Sequence, residues 1–227
     1  LCNGGANQGA ECDDAEDCPD VNLADTECIA MPIDNLSRLM AILLFKNNDI
    51  TNWNQFGPWY PDLPIVKCMR HAGSGTHATL DLAVMRRDAI PHQMTIPGSI
   101  YHYRSSSDLM KCVRDFDGAV GYADADKLLG SSGIGNVHLA KYQGVEPTRE
   151  KIKNCEYNFW ATQWVYWDAD EVAGLGLTNF VADLMAYAGN PANLTYQNIG
   201  YRADFWAAQS EMSCKKDNDR AYPRWNP

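Results

Sequence analysis

Arg70-His71-Ala72-Gly73-Ser74-Gly75-Thr76-His77 separates two stretches of different periodicity. Before it, Pro64-Ile65-Val66-Lys67-Cys68-Met69 has the length and apolar content of a short buried strand. After it, Leu80, Ala83, Val84 and Arg87 fall on one side of a helix over residues 76–87. A Gly-Ser-Gly-Thr turn therefore opens a helix directly off a strand. The first N–H groups of a helix lack internal partners and lie at the positive end of its macrodipole. Glycines admit a ligand close to the backbone. Ser74 and Thr76 add hydroxyl donors, and Arg70 adds a full charge on a planar fork. Arg70, Ser74, Gly75 and Thr76 are thus the candidate contacts of an anion. The plainer reading is a helix cap made by Ser74 or Thr76; Arg70 and the strand–turn–helix setting favour the anion.

Outward from this loop, helices alternate with short apolar strands through residues 29–190, the pattern of an α/β fold with a sheet covered on both faces. Residues 34–46 predict a helix capped by Asp34 or Asn35, with Leu36, Leu39, Met40, Leu43 and Leu44 as its buried face. Ser105-Ser106-Ser107-Asp108 opens a helix to about residue 116 and reads as a plain cap. Gly118-Ala119-Val120-Gly121-Tyr122 and residues 137–142 read as strands on either side of a helical turn at 124–129. Pro147 stands at the first position of a helix that stops near Asn154. Residues 157–167 are aromatic and β-prone, a stripe expected in the core or between lobes. A last amphipathic helix over 177–187 ends at Gly189-Asn190-Pro191. The polar tail 215–227 reads as an arm.

The 227 residues fit one large domain or two small lobes, and 45% apolar content suffices for a core. A net charge of −10 makes nucleic acid an unfavourable partner. No run approaches the ~20 apolar residues of a membrane span. No secretory leader opens the sequence at Leu1-Cys2, the expectation for a processed product.

The eight cysteines, Cys2, Cys12, Cys18, Cys28, Cys68, Cys112, Cys155 and Cys214, form no Cys-x-x-Cys pair, so zinc-ribbon and haem-attachment readings fail. Their even number and irregular spacing predict that all eight form disulfides in an oxidising compartment: periplasmic, cell-surface or extracellular. Spacing does not choose among the ~105 connectivities. Residues 1–28 hold the first four in a Gly/Asn/Asp-rich stretch with little apolar content, expected to be a small disulfide-stapled module. Asp13, Asp14 and Asp17 within it are weak calcium candidates, because hard oxygen ligands cluster there without the spacing of an EF-hand. The plainer reading is a solvated acidic surface.

Four motifs, in order, resemble the PstS-like phosphate-binding proteins of bacterial ABC importers. They are Leu36-Ser37 through Ile50-Thr51-Asn52-Trp53, then Arg70 through Thr76, then Gly118 through Tyr122, and Gly144-Val145-Glu146-Pro147-Thr148 with Ile152 through Tyr157. The resemblance implies two α/β lobes hinged around a buried anion, with Arg70, Ser74, Gly75 and Thr76 contacting it from the second lobe. It places that lobe at about 64–142 and the rest of 29–214 in the first lobe and hinge. Two departures matter. The family's loop Asp falls on Ala72, which implies less repulsion of a fully ionised tetrahedral oxyanion. Only residues 1–34 precede the first matching helix, so the first lobe is expected to be incomplete, with its opening strands supplied by another chain, cleaved away or lost.

Two functions follow as expectations. One is an extracytoplasmic protein holding phosphate or a similar inorganic oxyanion. The other is a structural, self-assembling subunit of filament or surface-layer type that keeps the fold without a ligand, its exposed sheet edges covered by other copies. An enzyme is the least favoured class. His71 and His77 flank Ser74 but lack the spacing of a nucleophile elbow, and His92, His102 and His138 form no metal spacing. No cofactor beyond the calcium candidate is expected.

Overall fold

The strand expected before the Gly-Ser-Gly-Thr turn is β4, Val66–Arg70. In the computed structural model, residues 2–3, 27–28, 33–46, 49–86, 95–129 and 137–225 are described. β4 lies between β5 (Ile100–Tyr103) and β6 (Ala119–Gly121) in a parallel sheet of order β5-β4-β6. Arg70 stands opposite Tyr103 in this register, and Cys68 opposite Gly121. Parallel neighbours need crossovers. The first runs through α2 (Gly75–Thr79), which continues as a π-helical stretch Leu80–Met85. The second runs through α3 (Ser106–Asp115).

Side chains of a strand alternate between faces, so β4 serves two cores. Ile65 and Met69 join Leu80, Val84 and Met85 on one face. Val66 and Cys68 join Leu109, Met110 and Cys112 of α3 on the other. The expectation of a sheet covered on both faces therefore holds. Lys67 is buried at 1% exposure within this strand, and desolvation lowers its pKa to about 8 against the opposing pull of Asp49. Gly118 has φ +73°, and a Cβ there would lie 2.4 Å from the Pro64 carbonyl oxygen, so only glycine lets β6 start beside β4.

The first helix, α1 (Arg38–Lys46), packs on the same core as the π-helical stretch Leu80–Met85. Two details correct the periodicity reading. Ser37, not Asp34 or Asn35, caps the helix, accepting the Met40 N–H at 3.1 Å. Asn35 and Leu36 instead form β3, parallel to β7 (Lys141–Tyr142), the only paired part of the strand expected at 137–142. The buried face is Ala41, Ile42, Leu44 and Phe45, while Leu39 is 65% exposed. The helix is apolar on two sides, and its 3.6-residue period cannot say which side finds the sheet.

Trp53, 1% exposed, opens a short 3-10 turn capped by Asn52. Its Nε1–H donates to the Gly118 carbonyl at 2.9 Å, tying the turn to the start of β6. Trp53→Phe is expected to cost about 1–3 kcal/mol, the range for stranding a buried acceptor. A denaturant midpoint equal to wild type would show that water takes the vacated carbonyl.

After β7, the chain departs most from expectation. The helical turn expected at 124–129 is α4 (Asp126–Leu129), and α5 (Arg149–Lys153) begins at its Thr148 cap, one residue after Pro147. Residues 157–167 form no strand among the described residues: Tyr157 is buried, but Trp164, Tyr166 and Trp167 are exposed. α6 (Ala169–Gly174) and α7 (Thr178–Gly189) follow, then α8 (Tyr196–Ile199), and none of the three carries a buried residue. Residues 215–225, expected as an arm, fold back: β8 (Cys214–Lys215) pairs antiparallel with β9 (Arg224–Trp225), and the Arg86 guanidinium lies 3.2 Å over the Tyr222 ring.

Two of the expected disulfides are present, Cys68–Cys112 and Cys155–Cys214, and no described cysteine is free. At the N-terminus the backbones of β1 (Cys2–Asn3) and β2 (Glu27–Cys28) pair antiparallel, Cys2 opposite Cys28. Cys12, Cys18 and the calcium candidates Asp13, Asp14 and Asp17 lie outside the described residues.

Candidate anion-binding site

β4 ends at Arg70, and the chain turns through Gly73, at φ +85°, into Ser74. Ser74 is the cap of α2: its Oγ accepts the His77 N–H at 3.4 Å, and only 7% of the residue is exposed. The capping reading is thus correct for Ser74, and the bond leaves its hydroxyl hydrogen available to a ligand. A Cβ on Gly75 would meet no atom within 4 Å, so the space over the first helical residue is open.

Arg70 reaches across two helix starts. Its Nη1 donates to Ser106 Oγ at 2.6 Å and to Thr76 Oγ1 at 3.4 Å, and its Nη2 to the Arg104 carbonyl at 2.8 Å. Its Nε is buried with no partner among the described residues. Ser106 is the first residue of α3, whose cap is Ser105. From residue order alone this second serine-opened helix is a plain cap. The signal that would have joined it to Arg70 is the parallel pairing of β4 and β5: with Arg70 opposite Tyr103, the helices after both strands must start side by side.

Thr76 Oγ1 also donates to Asp124 Oδ1 at 3.4 Å. A carboxylate therefore stands beside the loop even though Ala72 lacks one, which offsets the lower repulsion expected from Ala72.

Tyr122 is a second residue the motif reading did not place here. Its hydroxyl accepts the Arg70 N–H at 3.1 Å and meets His77 Nδ1 at 2.5 Å. The arrangement that uses the single hydroxyl hydrogen sends it to Nδ1, leaving the proton of the neutral imidazole on Nε2. Burial pushes the Tyr122 phenol up, against the opposing hydrogen bond and charge of Arg70. Burial likewise lowers His77, opposed by Asp81 and assisted by His102, His71 and Arg70. His102 is lowered by burial alone, and its Nδ1 has no partner among the described residues. The His77 ring is thus engaged by Tyr122, while Ser74 meets His77 at the backbone, so the two do not make a nucleophile–base pair.

These lowered histidines set an acid dependence. A folded pKa below the ordinary 6.5 means that the unfolded chain takes the proton first. Their contribution is present above 6.5 and is lost as the pH falls from there through the folded values. NMR titration should show both rings titrating below an exposed histidine; a value for His77 at or above 6.5 would contradict the burial assigned to it.

No protein-family model matches the chain. A stretch of 66 residues, 29% of this chain and 34% of the relative, is 38% identical to serine/threonine-protein kinase mos of Atheris squamigera. Among solved structures, the chain is similar to PstS from Borrelia burgdorferi at 18% identity and TM-score 0.49, covering 70% of this chain and 64% of that one. It is similar to an ABC-type phosphate transport receptor from Vibrio cholerae at 19% identity and TM-score 0.47, with the same coverage of 70% and 64%. A putative phosphate ABC transporter substrate-binding protein with bound phosphate from Clostridium perfringens follows at 26% identity and TM-score 0.44, covering 56% and 46%. The chain spans less than two thirds of the length of these proteins.

Proposed function

We propose that this is an extracytoplasmic binding protein for a tetrahedral inorganic oxyanion, phosphate or similar, held by Arg70, Ser74, Gly75 and Thr76 and not processed chemically. The carrying observation is the Arg70 guanidinium set between the starts of α2 and α3 with its Nε unpartnered. Thr76 of α2 and Ser106 of α3 both meet that guanidinium, and each lies at the positive dipole end of its helix. The two disulfides support an oxidising compartment. Under this reading residues 1–28 are a separate module, 29–214 the binding domain with its second lobe at about 64–142, and 215–227 an appended segment.

Isothermal titration of the whole chain with phosphate, and separately with sulfate, tests the reading. Saturable binding of one or both is expected. Heats indistinguishable from dilution for both anions would leave the other reading, a self-assembling subunit that keeps the fold without a ligand. One observation favours that reading: the Nη atoms of Arg70 donate to Ser106, Thr76 and the Arg104 carbonyl, so the residue also works as a brace between α2 and α3.

A further inference from the structure

His77 is tied to both flanks of the candidate anion loop. Its backbone N–H goes to Ser74 Oγ at 3.4 Å, and its ring Nδ1 meets the Tyr122 hydroxyl at 2.5 Å. The same hydroxyl accepts the Arg70 N–H at 3.1 Å. One residue thus bonds the cap of α2 with its amide and, through Tyr122, the backbone of Arg70 with its ring. The strand register adds a second imidazole. His102 of β5 stands opposite Met69, which packs with Leu80 and Val84 on the face that the α2 crossover covers. His71 follows β4 directly, its N–H on the Tyr103 carbonyl at 3.1 Å. The groups that act on the His77 ring are Asp81, His102, His71 and Arg70, with the Tyr122 phenol in contact. α1 meets Tyr122 from the other side with Phe45, and Asp124 stands on Thr76 Oγ1 at 3.4 Å.

We propose that His77 couples this site to a proton: the oxyanion is taken up together with a proton on the His77 ring, so affinity rises as the pH falls. The inference rests on the anion reading of Arg70, Ser74, Gly75 and Thr76. Neutral His77 keeps its hydrogen on Nε2 and accepts the Tyr122 hydrogen at Nδ1. On acidification a proton from water adds at Nδ1, which then donates to the Tyr122 oxygen. That oxygen keeps the Arg70 N–H on its other lone pair and turns its own hydrogen away. In the empty site this charge is disfavoured by burial and by His102, His71 and Arg70, with Asp81 opposing them. An oxyanion on Arg70 brings negative charge to the same neighbourhood and offsets that repulsion. Linkage makes the effect reciprocal: a ligand that favours the protonated ring binds the protonated protein more tightly.

NMR of the histidine rings in the whole oxidised chain, titrated over about pH 5 to 8, tests this. Spectra are compared in phosphate, in sulfate and in chloride of equal ionic strength. The oxyanion that binds should move the His77 titration up by about one pH unit relative to chloride, which corresponds to about tenfold tighter binding by the protonated chain. Sulfate stays doubly ionised over this range, so calorimetry with sulfate at both ends of it reads that tenfold without any titration of the ligand. The measurement is made on wild type and needs no variant at His77 to fold. Binding that leaves the His77 ring unmoved, or that moves His71 or His102 in its place, overturns this inference and leaves the anion reading standing. Movement that persists in Arg70→Ala puts the anion elsewhere and overturns it as well. Absence of binding by either oxyanion removes the anion reading itself, and this inference with it.

Discussion

Replacing the Cys68–Cys112 bridge by alanines is expected to cost about 2–5 kcal/mol of stability, the range for removing a native disulfide from a small oxidised domain. The bridge joins the middle of β4 to α3 across a sequence separation of 44, a span that includes β5. Both half-cystines are inside the second core, Cys68 at 0% and Cys112 at 3% exposure, beside Val66, Leu109 and Met110. Two effects add. The unfolded chain regains the freedom of a long loop, and two sulfurs leave a packed core they share with Val66, Leu109 and Met110. The bridge also holds the helix that places Ser106 on Arg70, so loss of the bridge should weaken anion binding as well. Guanidinium denaturation of the double variant, with a Cys155→Ala/Cys214→Ala control, measures the first effect. A loss below about 1 kcal/mol for the Cys68/Cys112 variant would mean that α3 is held by apolar packing alone.

Arg70→Ala should weaken oxyanion binding by ~2–5 kcal/mol, the range for truncating one partner of a buried charge pair. That corresponds to roughly 30- to 5,000-fold in affinity. The effect should exceed that of Thr76→Ala, which removes one neutral hydroxyl from the same place. Arg70 also braces α2 against α3, so affinity must be separated from folding. Arg70→Lys keeps the charge but loses the fork that reaches Ser106, Thr76 and the Arg104 carbonyl together. Partial recovery of affinity in Arg70→Lys, with both variants folded by circular dichroism, identifies a ligand contact. Equal affinity in wild type and Arg70→Ala, or no binding by wild type, sinks the anion reading.

The loop around Arg70 was readable from residue order because its chemistry is local. A strand, two glycines, two hydroxyls and a helix start lie within a dozen positions, and the backbone geometry of each residue type forces the turn. The α/β class followed for the same reason: alternating apolar periods survive whatever the strands later pair with. An even set of cysteines announced disulfides, but pairing required knowing that α3 crosses the face of β4 carrying Cys68.

Contacts between distant segments were not readable, because periodicity says that a side is apolar and not what will cover it. Ser106 reaches Arg70 only through the parallel register of β4 and β5. Tyr122 joins the Arg70 backbone to His77 across a separation of 45 or more residues. α1 could have buried either of two apolar sides; the sheet took the one with Ile42 and Phe45 and left Leu39 in water. Phe180, Leu184 and Tyr187 of α7 have the spacing of a core helix, yet they stay exposed. Sequence order thus settled what the segments around the Arg70 loop are, though not residues 157–167, through local sterics and hydrogen bonding. Packing settled what each segment touches, because burial is a property of pairs of surfaces and neither partner carries it alone.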